Sequence, residues 1–331
     1  MLNIEGYGGM LCSSWTDRPL SAAGRVVVRE NGRLVSRLVN LDRDLAVIPN
    51  VAIHMDREQN KGKNYNASVD MLPLIGINGE TVEEELVKAL GCASEDILAR
   101  ELALYPRTPG IIWGRDGELI SSPRLDDLQC VWTGLAGLIS ARDSDSAAVM
   151  CAFDNEEVGS GTKQGADSDF LSDVLMRVCE SFDLDRMHSS ALMANSFMVS
   201  ADNAHAVHPN HPEYADRNDR PAMNGGVVIK YDASGRYTTD SVSAAVFGEI
   251  CRRADVPVQV FTNRADKPGG STLGHISAAH VSVPSVDIGA AQLAMHSSWE
   301  TAGAKDTEYF VRALGEYFSS SLKKTAQGLE I

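Results

Sequence analysis

The residues with the most chemistry to offer are acidic pairs and the histidines that accompany them. Asp126-Asp127 follows Ser122-Pro123-Arg124-Leu125, and Glu156-Glu157 sits inside Asp154-Asn155-Glu156-Glu157-Val158-Gly159-Ser160. Asp202 lies in Ser200-Ala201-Asp202-Asn203-Ala204-His205-Ala206-Val207-His208, and His296 in Gln292-Leu293-Ala294-Met295-His296-Ser297. These segments fall where α/β sheets place ligands, at or just beyond strand ends. Carboxylates side by side at the margin of a core repel one another and resist desolvation. A divalent cation removes that conflict. One member of Glu156-Glu157 can then bind metal while its neighbour faces the attacking water as general base, the division of labour of metal-assisted hydrolysis. Taken singly, each segment has a plainer explanation. The Glu pair or Asp126-Asp127 suits a helix N-terminus, Asp202 can close a turn, and His296 can be a satisfied imidazole. Their order and combination favour the metal.

The elements that must position these groups show in the hydrophobic pattern. From about Gly24 to Leu104, Asn31-Gly32 between β-branched runs predicts a hairpin, followed by helices over Val82 to Leu90 and Ile97 to Leu104, the latter capped by Ser94. This segment is expected to be a smaller α+β module. From about Leu119 the pattern alternates, with helices predicted over Leu125 to Ala141 and through Phe170, Leu171, Val174, Leu175 and Val178, and an apolar run at Ala147 to Phe153. Strands at Phe197 to Ser200, Val258 to Phe261 and Val283 to Ile288 alternate with helices at Ser241 to Arg253, near Leu273 and over Glu308 to Lys323. The fold class is α/β, a sheet flanked by helices.

The 331 residues and 44% hydrophobic content support a normal buried core. A formal charge of -15 argues against nucleic-acid and anionic-membrane partners, which demand clustered Lys and Arg. It does not exclude acidic substrates, because one buried cation can select a carboxylate. No stretch approaches the roughly 18 consecutive apolar residues of a membrane span, and the N-terminus lacks signal-peptide character. Six scattered cysteines without a CxxC fit a reducing compartment, so a cytoplasmic protein is expected.

The sequence resembles the aspartyl aminopeptidase family of binuclear zinc exopeptidases over essentially its whole length. The resemblance rests on Tyr7-Gly8-Gly9, Trp15-Thr16-Asp17-Arg18, Ala23-Gly24-Arg25-Val26, Pro123-Arg124-Leu125-Asp126, the Glu156-Glu157 segment, Ser200-Ala201-Asp202 with Ala204-His205-Ala206-Val207-His208-Pro209-Asn210, and the His296 segment. It implies a zinc-exopeptidase-like catalytic domain, residues 1–18 and 119–331, interrupted by a dimerisation domain at 19–118. It implies two Zn2+ ions per chain: Asp126 bridges them, Glu157 and His296 complete one site, Asp202 belongs to the other, and Glu156 is the general base. His205, His208 and Lys230 match positions near the substrate, Lys230 beside an acidic P1 side chain, and His54 matches a histidine delivered into a neighbouring subunit. The glycine-rich Pro268-Gly269-Gly270-Ser271-Thr272-Leu273-Gly274 corresponds to a segment beside the substrate. Implied partners are peptides with acidic N-termini and further copies of the chain, typically in a dodecamer built from dimers.

The family carries roughly another quarter of chain before the Tyr-Gly motif, including a His-x-Asp whose histidine completes the second zinc site. Met1 stands almost directly before that motif here, and the single His-x-Asp, His54-Met55-Asp56, belongs to the small module's own matching segment. The second site is therefore expected to be weakened. The alternative is a non-catalytic oligomeric scaffold that binds at most one zinc. A dinucleotide enzyme suggested by Gly6-Tyr7-Gly8-Gly9 lacks the GxGxxG spacing and its acidic partner.

Overall fold

The computed structural model describes every residue except Pro268, Ala326 and Gln327, so the first residue of the glycine-rich segment lies outside the described residues. The chain forms two compact units, Met1–Pro109 with His296–Trp299, and Gly110–Met295 with Glu300–Ile331.

The first unit is built on a three-stranded antiparallel sheet of β1 (Leu20–Glu30), β2 (Arg33–Asn40) and β3 (Ile97–Pro106), ordered β2-β1-β3, with helices α1 (Ala67–Asp70) and α2 (Val82–Leu90) between β2 and β3 in the chain. Asn31-Gly32 forms the predicted hairpin turn, both residues with positive φ, so that Glu30 pairs with Arg33. A Thr81–Glu84 capping box starts α2 and left-handed Gly91 ends it. The helix expected over Ile97 to Leu104 is instead strand β3. The Ser94 start signal yields only a 3-10 turn, Ser94–Asp96, after which the backbone pairs with β1 from Ile97 to Pro106. Leu, Ala, Arg and Glu favour a helix locally, but the ladder to β1 satisfies the same backbone groups and overrides that preference.

The second unit contains β4 (Ile111–Trp113), β5 (Leu119–Ser122), α3 (Leu125–Ser140), α4 (Phe170–Ser181), α5 (Arg186–Ala194), β6 (Met198–Ala201), β7 (Ala204–His205) and β8 (Val227–Tyr231). It continues with α6 (Ser241–Arg253), β9 (Val258–Thr262), α7 (Leu273–His280), β10 (Ser285–Gly289), β11 (Ala291–Leu293), β12 (Glu300–Gly303), α8 (Ala304–Phe318), β13 (Lys323–Thr325) and β14 (Gly328–Glu330). Two mixed sheets, β6-β10-β8-β9 and β4-β5-β12-β11-β7, carry the architecture, and β13-β14 forms a small hairpin. The main core packs Val227, Ile229, Val286 and Ile288 of the first sheet against Phe247 and Ile250 of α6 and Phe310 and Leu314 of α8. This is the expected α/β class.

Helix α3 shows two contrasting faces. Toward α8 it presents Gly137, where a Cβ would meet Leu314 Cβ at 2.8 Å, so the helices touch through glycine, while Gly134 faces Met150. Along another face Leu128, Trp132, Leu135 and Ile139 form an apolar stripe that is 57%, 58%, 47% and 76% exposed. The apolar run Ala147 to Phe153 joins no ladder among the described residues, and Val149 is exposed. All six cysteines are free thiols. Among the described residues no helix is long and apolar enough to cross a membrane.

Candidate metal centre

Three separate places in the second unit send carboxylates toward one point. The first is the start of α3. Arg124 adopts a left-handed conformation, and Asp126 and Asp127 depart from helical φ/ψ, so neither carboxylate rides on a regular helical turn. The Asp126 amide donates to Glu300 Oε2 of β12 at 2.9 Å, and Glu300 is buried. The second is the turn Glu156–Val158, held between left-handed Asn155 and Gly159, with the Gly159 amide donating to the Glu156 carbonyl at 2.9 Å. Thr162 Oγ1 and Gln164 Nε2 both donate to Asn155 Oδ1, which stitches the following loop back onto that turn. The third is the end of β6, where the Asp202 amide donates to the Ile288 carbonyl at 3.0 Å, leaving its carboxylate just past the strand.

Asp126 and Glu157 each offer an oxygen within 4.8 Å of the other, and oxygens of Asp126, Asp127 and Asp202 lie within 4.8 Å of one another. Burial, and after it the carboxylates of Asp202, Asp127, Glu157 and Glu300, pushes Asp126 up to about 10. Burial followed by Asp202 also raises Asp127, against smaller opposing effects from Cys130, Lys230 and the Asn203 amide. Asp127 Oδ1 is shut off from solvent and has no hydrogen-bond partner. These are the conditions a bound divalent cation relieves, and carboxylate oxygens are among the ligands zinc takes.

His296 follows β11 after Ala294 and Met295, and both Ala294 and His296 have positive φ. Its Nδ1–H donates to the Gly9 carbonyl at 2.7 Å, within the first unit. A carbonyl can only accept, so in the neutral ring this bond puts the proton on Nδ1 and the lone pair on Nε2, the usual support for a metal-binding histidine.

The other predicted residues divide. Lys230 is 2% exposed on β8, and its Nζ donates to the carbonyls of Asp202 at 2.7 Å and Asn203 at 3.3 Å. Burial pulls its ammonium down, but Asp202, Tyr237, Asp287 and Cys130 outweigh that and leave it raised. His205 stacks edge-on against Phe261 and, with His208, His211, Arg264 and Lys267, lines a cavity of about 300 Å³ at the end of β11. His54 lies exposed in a turn of the first unit.

Several groups escaped sequence reasoning. Asn203 Nδ2 donates to Leu125 O, Gln129 Oε1 and Gln292 Oε1, forming a buried network beneath the carboxylates. Asn203 was visible beside Asp202, and Asp127 beside Asp126, but the latter had a competing reading as a helix cap. Glu300 and Gln129 gave no signal, because their neighbours at the site come from 174 and 74 residues away.

Carboxylates from three places in one α/β unit thus converge on a candidate cation site. The family description "Aminopeptidase I zinc metalloprotease (M18)" matches residues 1–318, and the chain belongs to that family. A curated relative from Clostridium acetobutylicum, "Probable M18 family aminopeptidase 2", is 48% identical over 326 residues, covering 96% of this chain and 75% of the relative. Among solved structures, the cryo-EM structure of the Ape4 and Nbr1 complex contains a similar chain with TM-score 0.87 and 36% identity, over 95% of this chain. This chain spans 65% of the length of that one. The S. cerevisiae mApe1 dodecamer is similar with TM-score 0.76 and 28% identity, over 94% of this chain and 71% of that one.

Proposed function

We propose that the chain is a zinc aminopeptidase that releases acidic N-terminal residues from peptides. The observation that carries this reading is the convergence around Asp126 of carboxylates from three separate places in the fold, with burial first and those neighbours after it pushing Asp126 up to about 10 unless a cation neutralises it. Asp126 would hold both ions, Glu157 and His296 would complete one site, and Asp202 would belong to the other. When bound, the ions polarise the scissile carbonyl and make water a better nucleophile at neutral pH.

The residues of the chain do the rest. Glu156 takes the proton of the attacking water on its carboxylate and returns it to the leaving amine. His205 and His208 stand at the cavity beyond β11, where an imidazole N–H can donate to the oxyanion that develops on the substrate. Arg264 and Lys267 line the same cavity together with Asp216 and Asp219, so it carries charge of both signs. Lys230 holds the Asp202 turn by its carbonyls and adds buried positive charge beneath the site, which favours an acidic P1 side chain.

The chain self-associates in this reading, through dimers formed by residues 19–118 into a dodecamer, with His54 reaching a neighbouring active site. The similarity to the mApe1 dodecamer supports that assembly. The test is hydrolysis of Asp-, Glu- and Ala-terminated chromogenic peptides by zinc-loaded protein and by Glu156→Gln. Turnover of the acidic substrates that Glu156→Gln abolishes supports the proposal. Zinc-loaded protein without turnover, assembled normally, supports the non-catalytic scaffold instead.

A further inference from the structure

We infer that Asp287 is a positioning residue for the cavity beyond β11: one buried carboxylate ties together two segments that wall the cavity and so sets how tightly an acidic side chain is gripped beside Lys230. The inference rests on the reading above that Lys230 favours an acidic P1 side chain. Asp287 is 0% exposed on β10. Its Oδ2 accepts from the Thr238 amide at 2.5 Å and from Thr238 Oγ1 at 2.7 Å, and its own amide donates to Thr239 Oγ1 at 2.9 Å. Its Oδ1 accepts from Thr272 Oγ1 at 2.6 Å. Both anchored segments reach the cavity. Beside Thr238, the Tyr237 ring lies 5.2 Å from the Lys230 ammonium and packs edge-on against Phe261 of the cavity wall. Just before Thr272, Gly269 and Gly270 line the same cavity, and Arg236 Nη1 donates to the Gly269 carbonyl at 2.6 Å, joining the two segments directly.

Two details show that the contact with Asp287 takes precedence over local needs. Thr272 is the N-cap of α7, where a hydroxyl ordinarily accepts from the helix's own amides. It makes no such cap and gives its proton to Asp287 instead. Gly274, in the first turn of α7, leaves no room for a side chain, because a Cβ would meet Asp287 Oδ1 and Ser200 Oγ at 2.7 Å each. The start of the helix therefore presses on the carboxylate. A buried carboxylate shared by two segments fixes their separation, since moving either one leaves a charged oxygen short of a donor. The same carboxylate neighbours the cation. Ile288 pairs with Ile229 across β10 and β8, which sets Asp287 beside Lys230 and helps to keep the ammonium charged.

The experiment uses the zinc-loaded full chain as wild type, Thr272→Val, Thr272→Ser and Asp287→Asn. Steady-state hydrolysis of Asp-, Glu- and Ala-terminated chromogenic peptides is measured, with calorimetric binding of free L-aspartate as a readout independent of turnover and melting temperature as the check on folding. Thr272→Val removes one donor and keeps the shape of the side chain. It should raise KM for the Asp and Glu peptides and Kd for L-aspartate by about tenfold, with kcat within about twofold of wild type and the Ala peptide unaltered, because a loosened grip weakens ground and transition state alike. Thr272→Ser, which restores the hydroxyl, should recover wild-type values, and Asp287→Asn should exceed the valine variant. Folded Thr272→Val with wild-type KM and Kd overturns the inference, as does an equal fall in kcat for acidic and neutral peptides, the mark of a merely structural residue. The Thr272 pair decides the matter even if Asp287→Asn fails to fold. Wild-type protein that treats acidic and neutral peptides alike overturns the acidic reading and this inference together, which is distinct from a wild type that prefers acidic peptides and a Thr272→Val that prefers them equally.

Discussion

Two groups of acids in the same unit, one fully buried and one half-buried, are treated in opposite ways. Asp287 and Asp306 each sit among hydrogen-bond donors placed to receive them, from Thr238, Thr272, Asn224 and Gly226. Asp126, Asp127 and Asp202 instead sit among other carboxylates, and one oxygen of Asp127 has no donor at all. Both groups are built from aspartate at the edge of the same core. What separates a structural acid from a functional one is the supply of donors: the first group closes its own electrostatics, and the second leaves an opening that something from outside must fill.

The sharpest way to break this contrast is to remove the group assigned to proton transfer. Glu156→Gln should lower kcat by about 10²- to 10⁴-fold while zinc content and melting temperature stay at wild-type values, measured by steady-state kinetics and metal analysis. Next in size is the loss of a satisfied acid. Asp306→Ala strands the Asn224 and Gly226 amides, and urea denaturation should show a loss of about 2–4 kcal/mol. The opposite sign is expected for the unsatisfied group. In metal-free protein, Asp126→Asn should raise stability by about 1 kcal/mol, since it removes a charge that burial and its neighbours oppose. If Asp126→Asn destabilises as Asp306→Ala does, the two regions are not different in kind.

The smallest effects concern pH. Burial raises Asp306 to about 6 despite its two amide donors. Its folded form keeps a proton that the unfolded form, near 3.8, has lost, so this group's contribution to stability falls as pH rises from about 4 to about 6. Asp306→Asn should flatten that part of the curve of melting temperature against pH. His280 bonds Asp167 and Asp169 at 3.0 and 3.2 Å, and the first of these, with the second, raises its imidazole above 6.5. Its stabilisation is complete below that value and fades as pH climbs through the folded pKa, so His280→Ala should narrow its gap from wild type at high pH.

How much of this was legible depended on how local the signal was. Helix α6 has the bounds expected from the sequence, and Asp240 caps it through the amides of Val242 and Ser243, a signal carried by four consecutive residues. Strand β3 was misread because its identity comes from its pairing with β1, far upstream in the chain. The Ala147 to Phe153 run carries a strand's composition without a partner in any described ladder. At the centre, Asp126, Glu157 and Asp202 were visible as acids following apolar runs. Asp127 was visible as well, but with a competing reading as a helix cap, and Glu300 gave no signal, since only folding reveals that one oxygen of Asp127 lacks a donor and that Glu300 receives the Asp126 amide.

The exposed stripe on α3 also equips the protein with an optical gauge. Trp132 stands in the middle of that stripe, more than half open to water, and is one of only four tryptophans in the chain. Its indole emits at the long wavelengths of a hydrated ring, and a dry surface laid over Leu128, Leu135 and Ile139 would shift that light to the blue. Subtracting the spectrum of Trp132→Phe isolates the signal, so the colour of one residue reports whether this face of the helix is bare or covered, at any dilution and without a label.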